Sequence, residues 1–509
     1  MRRASVFAGL IASSSSLGSF LGTFTGTFMG SKPGAGGAGP QQPHAASPAA
    51  GCATSSRLQA WQTRVFAVTW LAYAGYYLTR KGLSIAKVEL KQPEVMGLST
   101  ETLSLIDGGY LAAYAGGQFL WGILGDRVGT RAVVLVGMAG SIAVAVGMGL
   151  SGSALALGVL FALQGVCQSS GWAPLAKNIG EFFSRRVRGR VMGVWCSNFA
   201  LGGMIAAVVA GLATSWGGVA VPIPEWLGGP WVLPEPWRMA FFVPAALLSV
   251  IWVVFWLLQA NRPEDVGLPS PERDRGASES VIVAGETTAD EPEGSWHTVL
   301  EVLSSPIVLL LAFVYLFVKP LRYLLMFWAP VYLNERLGTG TAESGILGSL
   351  FDLAGPLGIF AGGWASDRLC GARRFPVIAS TLLLGGLALA LLPLVPATRW
   401  SLGAMLFVIG GLVYIPDSLV SGAAAIDFGT RRGASTAAGV INGVGSLGAI
   451  VGGMLLGFVK QLTGSATTPW NSIFLTLAGG LVLAAVCVVP QWNRLPSPAR
   501  VTPRAGTAA

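Results

Sequence analysis

The chain has 509 residues, of which 52% are hydrophobic and only 11% charged. A soluble globular domain carries about 25% charged residues, so this composition, with a mean hydropathy of +0.62, excludes that class and marks an integral membrane protein. The net charge of +9 does not indicate a nucleic-acid binder, because the arginines fall in short loops between apolar runs, where membrane topology accounts for them.

Residues 1–57 are rich in Ser, Gly, Ala and Thr, and the first acidic residue of the chain is Glu89. This composition suits a disordered cytoplasmic tail, or an organellar transit peptide that contains Arg and Ser and avoids acids. The patch at 5–29 is too polar for a membrane span. Twelve apolar runs of about 20 residues then follow: 63–83, 103–124, 131–151, 153–178, 189–215, 237–259, 305–333, 343–365, 375–396, 399–424, 432–460 and 470–490. Six precede and six follow a polar stretch at 260–304, which reads as a solvated linker. The expected organisation is a tail or targeting segment (1–60), a six-helix half (61–259), a cytoplasmic linker (260–304), a second six-helix half (305–490) and a cytoplasmic tail (491–509).

Cations set the sidedness. Arg127 and Arg131, then Arg185, Arg186, Arg188 and Arg190, then Arg368, Arg373 and Arg374, then Arg431 and Arg432 occupy every second loop, as cytoplasmic loops require. The opposite loops hold only Lys87, Lys91, Arg336, Arg399 and Lys460. The loop after the second span of each half repeats a pattern, "GILGDRVGTR" (122–131) and "GGWASDRLCGARR" (362–374). Asp126, Arg127, Asp367 and Arg368 are therefore candidates for conformational-switch loops on the cytoplasmic side. Two six-span halves with a shared loop describe the major facilitator fold, an all-α integral membrane protein of two pseudo-symmetric halves with its substrate site at the midplane. Such folds are expected to work as monomers in the bilayer.

Four cations lie inside spans: Arg80 and Lys81 in the first, Lys319 and Arg322 in the seventh. A charge near the bilayer centre costs roughly 2.5–3.5 kcal/mol on the insertion scale, so each needs a compensating role. Spans 1 and 7 are equivalent in the two halves, which predicts that Arg80 and Arg322 face one cavity and share an anion. Guanidinium forks match phosphate oxygens bidentately. Tyr73, Tyr77 and Arg80 are spaced by four and three and share a helix face, and Tyr114 and Tyr414 are candidate hydroxyl donors. Asp352 and Asp417 are carboxylates in apolar helices and require cation partners. Arg322 or Lys319 is the expected partner of Asp352.

These residues resemble the organophosphate:phosphate antiporters, the family that includes glycerol-3-phosphate and hexose-phosphate transporters, over most of 60–490. "YAGYYLTRKG" (73–82) resembles their first span, whose Arg binds phosphate, and "LRYLLMFWAPVYL" (321–333) resembles their seventh. "GWAPLAKNIGEFFSRRVRGRVMGVW" (171–195), "RPEDVGLP" (262–269) and "TAAGVINGVGSLGA" (436–449) continue the likeness in order. The resemblance implies phosphate-binding roles for Arg80 and Arg322, beside Lys81, Tyr73 and Tyr77, and matches Asp352 to an acid of the family's eighth span. The chain departs from the glycerol-phosphate members at Gln118, Phe199 and Ser446, where they carry Lys, His and Tyr. Lys319, a turn before Arg322, is a candidate replacement cation. Gln118 and Asn442 are further candidate contacts.

The expected function is a secondary transporter that exchanges an organic phosphate for inorganic phosphate by alternating access. It performs no catalysis and has no ATP loop of the type G-x-x-x-x-G-K-[ST]. Neither cofactor nor metal is expected, since the cysteines lack metal-ligand spacing. The alternatives are a membrane-bound sugar-phosphate sensor with little transport, and a carrier of another organic anion such as a carboxylate. The membrane is a plasma or inner membrane, or an organelle membrane such as that of the plastid or endoplasmic reticulum.

Overall fold

The computed structural model describes residues 48–183, 191–192, 194–221, 231–269, 303–371, 373–424, 434–464 and 468–495. The first half consists of α1 (Pro48–Leu90), α2 (Thr100–Val128), α3 (Thr130–Leu150), α4 (Ala154–Gln168) with α5 (Trp172–Phe182), α6 (Ser197–Thr214) and α7 (Pro236–Leu258). The second half consists of α8 (Pro306–Leu337), α9 (Thr341–Trp364), α10 (Arg374–Leu391), α11 (Arg399–Ser418), α12 (Ala434–Thr463) and α13 (Trp470–Val488). Ten spans among the described residues, from α3 onward and with α4 and α5 forming one, are long and apolar enough to cross a membrane. α1 and α2 hold the other two expected spans. They are long enough, at 43 and 29 residues, but carry Arg80, Lys81 and Lys87 in one and Asp107 in the other. A short antiparallel hairpin, β1 (Ala220–Val221) with β2 (Trp231–Val232), lies between α6 and α7. The apolar pattern did not predict it.

α1 departs furthest from expectation. It begins at Pro48, inside the stretch read as a tail, and continues to Leu90 beyond the expected end at 83. Lys87, read from the sequence as a loop cation, is therefore helical and fully buried. The N-terminal segment to residue 47, most of the linker, the four-arginine loop at 185–190 and the C-terminal tail from 496 lie outside the described residues.

Ser99, Ser153 and Thr398 cap α2, α4 and α11 by accepting from Thr102, Ala156 and Ser401 N–H groups, each at 3.2 Å. Each satisfies one donor that the first helical turn leaves open. Helices approach closely through glycine, as lipid-embedded packing requires. A Cβ on Gly202 would fall 2.8 Å from Ala74 Cα, and one on Gly452 would fall 2.5 Å from Pro320 Cα. Gly171, between α4 and α5, lets the rings of Tyr73 and Tyr76 pack where a Cβ would stand 2.8 Å from Tyr76. Outward-facing Leu155, Val250, Leu257 and Leu387 are exposed, which suits a lipid-facing surface.

One stripe of α1 ties the halves together, beside the packing of α6 on α9 and of α2 on α12. Lys81, Ser84, Lys87 and Lys91 recur every three or four residues, so they share a helix face. Lys81 Nζ donates to the Met326 carbonyl at 3.1 Å, Ser84 to the Met326 and Phe327 carbonyls at 3.0 and 2.9 Å, and Lys87 to the Phe327 carbonyl at 3.4 Å. Lys91 pairs with Glu335, and Lys460 with Glu101 at 3.4 Å. The Gly457 N–H donates to Ser104 Oγ at 3.0 Å. These ties run from the level of Lys81 toward the face opposite the arginine-rich loops, called here the outer face.

Candidate functional site

Arg80 is closely constrained. It is 1% exposed. Its Nε donates to Gln168 Oε1 at 2.9 Å, and its guanidinium lies over the rings of Tyr77 (4.4 Å), Tyr114 (5.1 Å) and Tyr110 (5.8 Å). Gln168 is itself locked: Oε1 also accepts from the Tyr110 hydroxyl at 2.7 Å, and Nε2 donates to the Tyr76 carbonyl at 3.1 Å and Thr79 Oγ1 at 3.0 Å. No carboxylate pairs with Arg80 among the described residues, and its Nη2 is buried without a partner. The result is a fixed guanidinium with an unspent donor edge.

Arg322 is held differently. Nη1 lies 3.1 Å from Asp417 Oδ2, and the Tyr315 hydroxyl donates to Oδ1 of the same carboxylate at 3.1 Å. The guanidinium stands between the rings of Phe199 (4.6 Å) and Tyr414 (5.0 Å), and its Nε has no partner. Lys319 Nζ reaches only neutral acceptors, the Asn442 carbonyl and Ser446 Oγ, both at 3.3 Å, with the Tyr315 ring at 4.8 Å. Phe327 links the two sides: its ring packs on Tyr110, beside Arg80, at 5.8 Å and on Tyr323, beside Arg322, at 5.9 Å.

Asp352 does not pair with Arg322 or Lys319. Its Oδ2 lies 2.7 Å from Lys81 Nζ across the half boundary, and its Oδ1 accepts from the Tyr414 hydroxyl at 2.8 Å. The cause is packing. α6 brings Gly203 against Asp352 and Gly202 against α1, so α9 sits within reach of Lys81. Lys81 and Tyr414 are thereby engaged with protein partners.

The remaining candidates divide. Tyr77 is at the site, under Arg80. Tyr73 is buried in an aromatic cluster with Trp172 (5.2 Å) and Trp195 (5.7 Å), with its edge against Tyr77. Tyr114 and Gln118 are half-buried on α2, and Asn442 is half-buried on α12. In the repeated loops, Asp367 Oδ1 pairs with Arg374 at 2.5 Å within its own loop, and Arg368 is exposed. The side chains of Asp126 and Arg127 lie outside what the structure describes.

Three residues were missed or under-read in the sequence. Gln168 gave no charge signal. Asp417 was identified as an acid in need of a cation, without a named partner. Lys87 forms a fully buried ion pair with Asp107, with its ammonium over Trp328 at 4.2 Å. The signal for that pair was partial: Asp107 is a lone acid one turn inside the run 103–124, whereas Lys87 lies one turn beyond the run 63–83. A separate cavity of about 910 Å³ opens at the outer face beside Lys91, Glu335, Arg336 and Lys460, and neither Arg80 nor Arg322 lines it.

Two helical halves closed over a buried cluster of cations define a multi-pass membrane carrier. The sequence pattern of the Major Facilitator Superfamily matches residues 69–453. A glycerol-3-phosphate transporter of Bacillus subtilis is 30% identical over 440 residues, covering 84% of this chain and 92% of that protein. A probable hexose phosphate transport protein of Chlamydia trachomatis is 28% identical over 447 residues, covering 85% and 91%. The glucose-6-phosphate exchanger SLC37A2 of Danio rerio is 27% identical over 489 residues, covering 85% and 92%. Among solved structures, a bacterial homologue of the human lysosomal transporter Spinster superimposes with a TM-score of 0.64 at 18% identity, covering 84% of this chain and 95% of that one. This chain belongs to the Major Facilitator Superfamily and, within it, to the group that resembles the organophosphate:phosphate antiporters.

Proposed function

We propose that the protein exchanges an organic phosphate, a sugar phosphate or glycerol-3-phosphate, for inorganic phosphate by alternating access. The observation that carries this reading is Arg80, a buried guanidinium pinned through Nε by a neutral amide, without a carboxylate, and with Nη2 unpaired. A fixed fork with free donors in a low-dielectric site is matched by a phosphoryl group. Lys319, whose hydrogen-bond acceptors among the described residues are neutral, supplies a second cation from the other half. Arg322 joins when the anion competes with Asp417. Lys81 acts on the carrier rather than on the substrate, by holding Asp352. The relatives named for glycerol-3-phosphate and hexose phosphates support the same substrate class.

Phosphate-loaded proteoliposomes test this reading, with glucose-6-phosphate and glycerol-3-phosphate as external competitors. Arg80→Lys keeps the charge but loses the fork and is expected to abolish exchange. Arg322→Lys is expected to weaken it less, because its fork is already shared with Asp417. Full exchange in Arg80→Lys would overturn the reading, and binding without flux would favour a sensor.

A further inference from the structure

The arginines on the two equivalent spans have different resident partners. Arg80 has a carboxamide, Gln168 at 2.9 Å. Arg322 has a carboxylate, Asp417 at 3.1 Å, which is 2% exposed and steadied by the Tyr315 hydroxyl. A carboxylate oxygen at the edge of a guanidinium makes the same charge-assisted contact that a phosphate oxygen makes. Asp417 therefore holds the place of a counter-anion on Arg322. Lys81 is likewise compensated by Asp352. Of the four cations of the site, two carry a carboxylate of their own. The other two, Arg80 and Lys319, rest on neutral acceptors and tyrosine faces.

We propose that Asp417 is a resident counter-anion that lets the empty carrier reorient, so that the protein moves phosphate and its monoesters one way as well as by exchange. The proposal rests on the exchange reading above. Strict exchange follows when a carrier cannot cross between its two states with its cations bare, because a buried charge without a partner is strongly disfavoured. Asp417 removes that penalty at Arg322 and leaves it at Arg80 and Lys319, so one-way movement of the empty form is slower than exchange but not blocked. The same carboxylate competes with an arriving phosphoryl group, so it lowers affinity while it raises the mobility of the empty form. One residue thus controls two observables in opposite directions.

The test compares efflux of labelled phosphate from proteoliposomes into phosphate-free buffer with efflux into buffer containing phosphate. Wild type is expected to show one-way efflux at a measurable fraction of the exchange rate. Asp417→Asn preserves the shape and removes the charge. It is expected to lower the ratio of one-way efflux to exchange by about a hundredfold or more, the scale on which removing one partner of a buried ion pair acts, and to lower the half-saturating phosphate concentration. Asp417→Glu is expected to restore the ratio. An unchanged or higher ratio in Asp417→Asn would overturn the proposal. If that variant exchanges too slowly to measure, phosphate-dependent thermal stabilisation of the purified protein decides. A larger shift in Asp417→Asn than in wild type supports the resident anion, and an equal or smaller shift rejects it. A wild type with neither exchange nor phosphate-dependent stabilisation would instead overturn the exchange reading, and the proposal with it.

Discussion

A carboxamide and a carboxylate of nearly equal size act oppositely on a buried guanidinium, and this molecule places one beside each of its two arginines. Gln168, held by three hydrogen bonds of its own, orients Arg80 through a fourth without neutralising it. Gln168→Glu would keep the shape and add a charge. The new carboxylate would pair with Arg80 and oppose any anion, so exchange is expected to fall by about a hundredfold, in line with the 3–5 kcal/mol scale of buried ion-pair effects. Initial-rate measurements in proteoliposomes check this, and a Glu variant with wild-type rates would show that Gln168 does not set the charge of the site. Charged members of the site were legible in the sequence because a cation in an apolar run is conspicuous. Gln168 was not, since a lone Gln in a small-residue helix has many ordinary uses. The pairing of Asp352 with Lys81 was not legible either. Which acid meets which base depends on how closely α6 and α9 approach, and that is fixed by Gly203, not by spacing along the chain.

At the scale of elements, α1 and α8 meet through a defect in α8. Pro330 has no N–H, so the Met326 carbonyl four residues earlier has no helical donor. Lys81 and Ser84 supply donors instead, at 3.1 and 3.0 Å. Pro330→Ala would restore the helical donor and weaken the contact between halves by about 1 kcal/mol, the net value of one hydrogen bond. The expected outcome is a roughly fivefold faster reaction of Ser84→Cys, in a cysteine-free background, with an impermeant maleimide applied at the outer face. An unchanged rate would show that the kink does not hold this closure. Ten of the spans were legible from apolarity alone. The true length of α1 was not. Lys87 looks like a loop residue because its charge is compensated only in three dimensions, by Asp107 on α2.

At the scale of the whole molecule, the ties between halves described here form a ladder that ends at the outer rim. Its inner rung is the buried pair of Lys81 with Asp352. Its outer rungs are Lys91 with Glu335 and Lys460 with Glu101, whose side chains are 19–37% exposed. Exposed pairs are worth about 0–1 kcal/mol each, so the rim is closed by contacts weak enough to break in every cycle. The proposed alternating access requires them to break, since the anion proposed for Arg80 would reach the outer side when α1 and α8 part. Bridging Lys91→Cys to Glu335→Cys with a short bis-maleimide, in a cysteine-free background, is therefore expected to abolish exchange while phosphate still stabilises the purified protein against heat. The same double variant without the cross-linker is expected to keep most of its exchange, because only weak rim pairs are lost. Exchange that survives cross-linking would mean that the outer ends of α1 and α8 stay together throughout transport, and that the substrate leaves by another route.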